Sequence, residues 1–198
     1  GRILLDGEAV AGTPPKVGFM FQRDTLLPWA TVAQNIAVGL ELGGIPPERH
    51  AARIAELIGF LGLSGFESNY PATLSGGMRQ RVSLGRLLAY EPDLYLMDEP
   101  FGALDAQTKM QMQEWLMQLW SDFKKTVVFV THDVDEAIYL SDEIHVMGTR
   151  PGRVVETIAV ELSRPRLRTA SLTPEFIAIK ERCLNLLTTY AQTVDEAA

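Results

Sequence analysis

One stretch constrains the fold more than any other: the run Thr126-Val127-Val128-Phe129-Val130, set between helical patterns on both sides. Upstream, Val82, Leu84, Leu87 and Leu88 mark a helix ending near Glu91-Pro92, and the apolar run 93–97 is closed by Asp98-Glu99-Pro100. Asp105 then caps a long helix over 106–123, with Met110, Met112, Trp115, Leu116, Leu119 and Trp120 as its apolar face. Downstream, a short helix over 134–140 leads to another strand at 143–147. Strands separated by helices are joined by crossovers, and crossovers give parallel pairing. The expected fold class is α/β with a parallel core sheet through Met147. The unbroken β-branched run predicts a strand buried on both faces. With 198 residues and 46% apolar content, the chain can close such a core.

The remaining segments have local signals of their own. Residues 3–5 and 17–21 are short apolar runs that read as strands, the first entering an Asp6-Gly7 turn. Thr31 is an N-cap for a helix to about Leu42, stopped by Gly43-Gly44. Pro46-Pro47-Glu48 opens a second helix carrying Ile54, Leu57, Ile58 and Leu61 at helical spacing, closed by Gly62 and Gly65. Residues 143–147 and 153–160 form two strands around an Arg150-Pro151-Gly152 turn, and a last amphipathic helix spans 174–192.

A net charge of −7 argues against a general nucleic-acid binder, because phosphate backbones demand an excess of Lys and Arg. It leaves room for a bound nucleotide, which needs only local positive potential. The lone cysteine, Cys183, excludes an internal disulfide and reads as a small buried apolar residue. No apolar run reaches membrane-spanning length. Ligands of parallel sheets collect at strand carboxyl ends, and Gln22, Asp98-Glu99 and His132 all fall there. Of the paired acids, one can hold Mg²⁺ and the next can orient and deprotonate a water. Ser75-Gly76-Gly77 before a helix offers uncovered amides and a hydroxyl at a positive helix end, which suits a phosphate. Taken singly, each has an ordinary alternative: a loop and N-cap, a solvated strand end, a polar turn.

Taken together, in this order, they resemble the ATPase subunits of ABC transporters over nearly the whole chain. Gln22 stands at the Q-loop, Leu74-Ser75-Gly76-Gly77-Met78-Arg79-Gln80 as the signature, and 94–97 with Asp98-Glu99-Pro100 as Walker B. Ala103-Leu104-Asp105 is the D-loop and His132 the switch histidine. The signature commonly reads LSGGQ; Met78 departs from it in the manner of one branch, the import ATPases for nitrate, taurine, alkanesulfonates and related small solutes. The stretches RDTLLPW (23–29), RPGRVV (150–155) and Leu162-Ser163-Arg164-Pro165 resemble that branch too.

The resemblance implies a P-loop NTPase-like domain over 1–165, with a helical signature subdomain at about 30–92, and a helical extension over 166–198. It implies ATP and Mg²⁺ as ligands, with Glu99 as general base, Asp98 holding Mg²⁺, Gln22 touching Mg²⁺ and the attacking water, and His132 on the γ-phosphate. Ser75, Gly76, Gly77 and Asp105 would reach the ATP bound to a second ATPase subunit in a head-to-tail dimer. Leu26, Leu27, Pro28 and Trp29 would receive a helix of the membrane-spanning permease, or pack on the helical subdomain. A solute-binding protein would be an indirect partner, and the location the cytoplasmic face of the bacterial inner membrane.

The phosphate-wrapping motif G-x-x-x-x-G-K-[ST] does not occur in these residues, and the family carries it upstream of the part matching residues 1–6. The sequence also opens without methionine, on a strand. The expectation is an N-terminally truncated ATPase that binds ATP poorly and turns it over negligibly alone. The alternative is a naturally short subunit donating signature and D-loop to a partner's site. A non-transport ATPase of the DNA-repair or translation type would need insertions that 198 residues do not accommodate.

Overall fold

The computed structural model describes residues 1–12, 14, 16–123, 125–149 and 151–195, without the side chains at 119, 120, 122, 123 and 191–195. The expected places of Leu119 and Trp120 on a helix face, and of Arg150 in a turn, lie outside what is described. The chain forms two compact units, Gly1–Met112 with Asp122–Val130, and Gln113–Ser121 with Thr131–Ala198.

In the first unit the Asp6-Gly7 turn is a hairpin. Both residues take left-handed φ, 51° and 85°, so that β1 (Leu4–Leu5) pairs antiparallel with β2 (Glu8–Ala9). Next come β3 (Val17–Met20), α1 (Val32–Leu42), α2 (Pro47–Phe60), a 3₁₀ turn at Pro71–Thr73 and α3 (Gly76–Tyr90). The cap at Thr31 is a full capping box: its hydroxyl accepts the Gln34 amide and the Gln34 side chain returns to the Thr31 amide. Helices α1 and α3 meet at glycines. A Cβ on Gly39 would stand 2.1 Å from the Arg86 carbonyl oxygen, and one on Gly85 2.7 Å from Leu61. Around this crossing Val32, Ile36, Leu40, Leu61, Leu63 and Val82 are fully buried.

β4 (Leu94–Asp98) lies between β3 and β5 (Thr126–Val130), parallel to both, with α4 (Ala106–Phe123) intervening in sequence. One face of this sheet carries Gly18, Met20, Tyr95 and Met97, with the three side chains buried and Gly18 close against Leu87 and Pro92. On the other, Phe19, Phe21, Val128 and Val130 are each about half exposed, and the Phe19 and Phe21 rings stack 4.4 Å apart. The expectation that TVVFV is buried on both faces is therefore corrected. An unbroken apolar run permits two covered faces but does not supply the second cover. Along α4, Met112 and Leu116 are buried, whereas Met110, two residues before Met112 and so on the opposite side of the helix, is exposed.

The second unit holds α5 (Val134–Leu140), β6 (Glu143–Gly148), β7 (Arg153–Ala159) and α6 (Pro174–Asp195). β6 pairs antiparallel with β7, not with the parallel sheet, so the parallel pattern expected through Met147 stops at Val130. The short connection between β6 and β7 explains why those two are antiparallel, since only a hairpin spans so few residues. α5, the hairpin and α6 enclose two small clusters, Ile138, Val160 and Phe176, and Val146, Ile158 and Cys183. Burial pushes the Cys183 thiol above its ordinary range. Arg166 is buried and donates to the carbonyls of Ile138, Tyr139, Ser141 and Val160, satisfying the last turn of α5. No helix of the described residues is long and apolar enough to cross a membrane.

Candidate functional site

Parallel register aligns the carboxyl ends of β3, β4 and β5, pairing Met20 with Met97 and Asp98 with Val130. Gln22 follows β3 by two residues, and Asp98 closes β4. Glu99 then turns the chain. Its φ is 45°, a left-handed conformation that costs a non-glycine residue on the order of 1–3 kcal/mol. Its amide donates to the Val130 carbonyl at 2.9 Å, and its carbonyl accepts the Gly102 amide at 3.2 Å. Phe101, buried against Phe129 with ring centroids 5.7 Å apart, anchors the same turn. Gln22 Nε2 donates to Glu99 Oε2 at 3.0 Å across 77 residues of sequence. A carboxylate held by backbone strain and by one amide is aimed rather than free to rotate.

The glycine loop packs on the same turn. Ser75 caps α3, its hydroxyl accepting the Met78 amide at 3.2 Å, which leaves Gly76 and Gly77 in the first turn, where amides lack intrahelical partners. A Cβ on Gly77 would lie 3.5 Å from the Ala103 carbonyl. Buried Gln80 donates to the Pro100 carbonyl at 3.1 Å. Asp105 begins α4: its two oxygens accept the Thr108 hydroxyl at 2.6 Å and amide at 3.0 Å, and these, the hydroxyl above all, hold its carboxyl below the usual range.

The loop after Gln22 is tied down by Arg79, Arg86 and Asn35. Arg79 Nε donates to Asp24 Oδ2 at 2.9 Å, and Arg86 reaches the Thr25 carbonyl and hydroxyl at 2.9 and 2.7 Å. Asn35, fully buried in α1, accepts the Leu27 amide at 2.8 Å and donates to the carbonyls of Leu27, Ala30 and Thr31 at 3.0–3.2 Å. Of the apolar four, Leu26 and Leu27 are half-buried while Pro28 and Trp29 are exposed, Trp29 at 73%. A lone amide among Val32, Ile36 and Leu40 was the available clue to Asn35.

His132 belongs to the second unit, two residues past the end of β5, and is exposed. No group of three or more His, Cys, Asp or Glu side chains among the described residues could hold a metal. Asp98, which closes β4 next to Glu99, offers carboxylate oxygens of the hard kind that Mg²⁺ takes.

A family model described as ABC transporter matches residues 1–102, just over half of the chain. The chain belongs to the ABC transporter family. Its α/β fold with a parallel sheet is that of the ABC ATPase cassettes. A dimeric cassette, MJ0796, solved in a post-hydrolysis state with ADP and Pi, superposes with a TM-score of 0.71 at 29% identity, over 82% of this chain and 75% of that one. An uncharacterized ABC transporter ATP-binding protein of Methanocaldococcus jannaschii is 49% identical, over 94% of this chain and 69% of the relative. The taurine import ATP-binding protein TauB of Pseudomonas putida is 42% identical, over all of this chain and 78% of its own length.

Proposed function

We propose that this ABC ATPase chain powers import of a small solute, such as taurine, another sulfonate or nitrate, through a membrane permease. The observation that carries the catalytic part is the Gln22–Glu99 hydrogen bond beside Asp98 at the carboxyl edge of the sheet. Glu99 holds the attacking water and accepts its proton, while Gln22 fixes the carboxylate. Asp98, with Gln22, is the group that would hold Mg²⁺, which supplies charge neutralisation on the phosphates. His132 contacts the terminal phosphate. Ser75, Gly76, Gly77 and Asp105 face the nucleotide of a second subunit, so that the reaction is mainly one of positioning and charge stabilisation. The phosphate-wrapping loop is not among these residues, and the 198-residue polypeptide by itself is expected to bind ATP weakly.

Leu26, Leu27, Pro28 and Trp29, braced by Asn35 and Arg86, are the proposed seat of a permease helix. The similarity to TauB, a taurine import ATP-binding protein, supports a sulfonate-type solute; delivery by a binding protein and a peripheral place on the cytoplasmic face of the membrane belong to the same proposal. The test is the ATPase that carries the phosphate-wrapping loop as well as these residues, assembled with its permease in vesicles. Glu99→Gln should retain bound ATP while turnover falls about 100-fold or more, in the range for loss of a general base. Unimpaired hydrolysis by that variant would refute the assignment. Uptake of taurine but not of a neutral amino acid would support the solute class.

A further inference from the structure

Glu136 lies in the first turn of α5, is only 4% exposed, and has no part in the reaction proposed above. Its carboxylate is met from two sides. Thr131 Oγ1 donates to Oε2 at 2.5 Å, and Gln113 Nε2 donates to Oε1 at 2.9 Å. The Glu136 amide donates to Asp133 Oδ1 at 3.2 Å, and the Asp133 amide donates to Thr131 Oγ1 at 3.0 Å. The residues on both sides of His132 are thus bonded to Glu136, and to each other through one hydroxyl.

A helix start needs less than this. Asp133 caps α5 already, and in an ordinary capping box the acid three residues on turns back to the cap amide. Here the Thr131 hydroxyl stands between them, accepting from Asp133 and donating to Glu136, which uses its one proton and a lone pair together. Burying a carboxylate is costly unless hydrogen bonds meet it, and here a hydroxyl and an amide from two different elements do. What the network holds still is the backbone of Thr131-His132-Asp133. His132 itself remains exposed to whatever approaches.

We infer that Glu136 is a positioning residue for His132, acting through Thr131 and Asp133 to hold the imidazole where a terminal phosphate meets it. This rests on the role of His132 proposed above. Misplacing a catalytic group by an ångström costs up to about 100-fold in rate, so releasing this turn should be visible in kcat.

The test uses Glu136→Gln and Thr131→Val, which keep shape, in the ATPase that carries the phosphate-wrapping loop as well as these residues, assembled with its permease. We expect kcat to fall about tenfold with KM for ATP within about twofold, because positioning acts on the transition state. Thr131→Ser should restore the rate, and in a His132→Ala background neither substitution should lower it further. Independently of turnover, amide exchange at residues 131–133 of this chain should quicken about tenfold in both variants, with α6 unaffected. Unchanged exchange there, or losses that add fully to that of His132→Ala, would overturn the inference alone. If His132→Ala by itself leaves turnover intact, the role of His132 fails, and the inference falls with it.

Discussion

Asn35→Asp is the most searching perturbation of the loop that carries Trp29, because it changes chemistry and almost no volume. The amide accepts one bond, from the Leu27 amide, and donates to three carbonyls, those of Leu27, Ala30 and Thr31, in a site with no exposure. A carboxylate could keep the first bond, yet it would face three oxygens with no proton to share. The introduced group therefore stays protonated in the folded state. Holding a carboxyl neutral at pH 7, when its ordinary value is near 4, costs about 4 kcal/mol. The protonated acid has one donor where the amide had two, which forfeits about 1 kcal/mol more. The total, about 5 kcal/mol, is comparable with the whole stability of many domains, roughly 5–15 kcal/mol.

The pH dependence has a definite sign. The folded-state pKa of the introduced group is raised, so the folded chain binds more protons than the unfolded one, and stability falls as pH rises above about 4. At pH 4.5 the protonation cost shrinks to about 1 kcal/mol. Urea unfolding followed by circular dichroism, with variant and parent compared at each pH, isolates the difference. Asn35→Ala is the control: it loses the bonds without a charge and should cost about 3 kcal/mol at both pH values. A deficit for Asn35→Asp that is the same at pH 4.5 and pH 7, or below about 2 kcal/mol at pH 7, would refute the reasoning.

Gly39→Ala places a methyl 2.1 Å from a backbone oxygen of α3, which cannot swing aside, so the helices must part; a loss of about 1–3 kcal/mol or more in the same urea assay is expected. On the half-exposed sheet face, Val128→Thr should change stability by no more than about 0.5 kcal/mol. Met97→Ala, on the buried face of the neighbouring strand, should cost about 2–5 kcal/mol. Cys183 is buried and its thiol is pushed up by that burial, so a thiol reagent at pH 8 should label native protein only as fast as the second unit opens. Since the folded thiol holds its proton longer than the unfolded one, the stability it contributes is intact below the unfolded thiol's range and is lost as pH rises through the folded value.

The elements that were legible in advance are those whose signals are local. Thr31 with Gln34 starts α1 and Gly43-Gly44 ends it at the expected Leu42; Asp133 starts α5 and its end at Leu140 is also where the pattern stops. Each of these decisions is a hydrogen bond between residues three or four apart, so the code and its reader sit together. TVVFV was legible as a strand but not in its burial, because what covers a strand comes from elsewhere in the chain. β6 looked like a continuation of the parallel pattern, but among the described residues it pairs with β7 alone.

The site divides in the same way. Residue types and their order, with Gln22, Ser75-Gly76-Gly77, Asp98-Glu99, Asp105 and His132 at strand and helix ends, were written in the sequence and were enough to indicate the family. Which groups bond to which was decided only in three dimensions. Gln22 and Glu99 are 77 residues apart, Asp24 and Arg79 are 55 apart, and Gln113 and Glu136 are 23 apart. A side chain's partner across such distances depends on strand register and helix crossing. Those are set by the summed burial of many apolar contacts, a quantity that no short stretch of sequence contains.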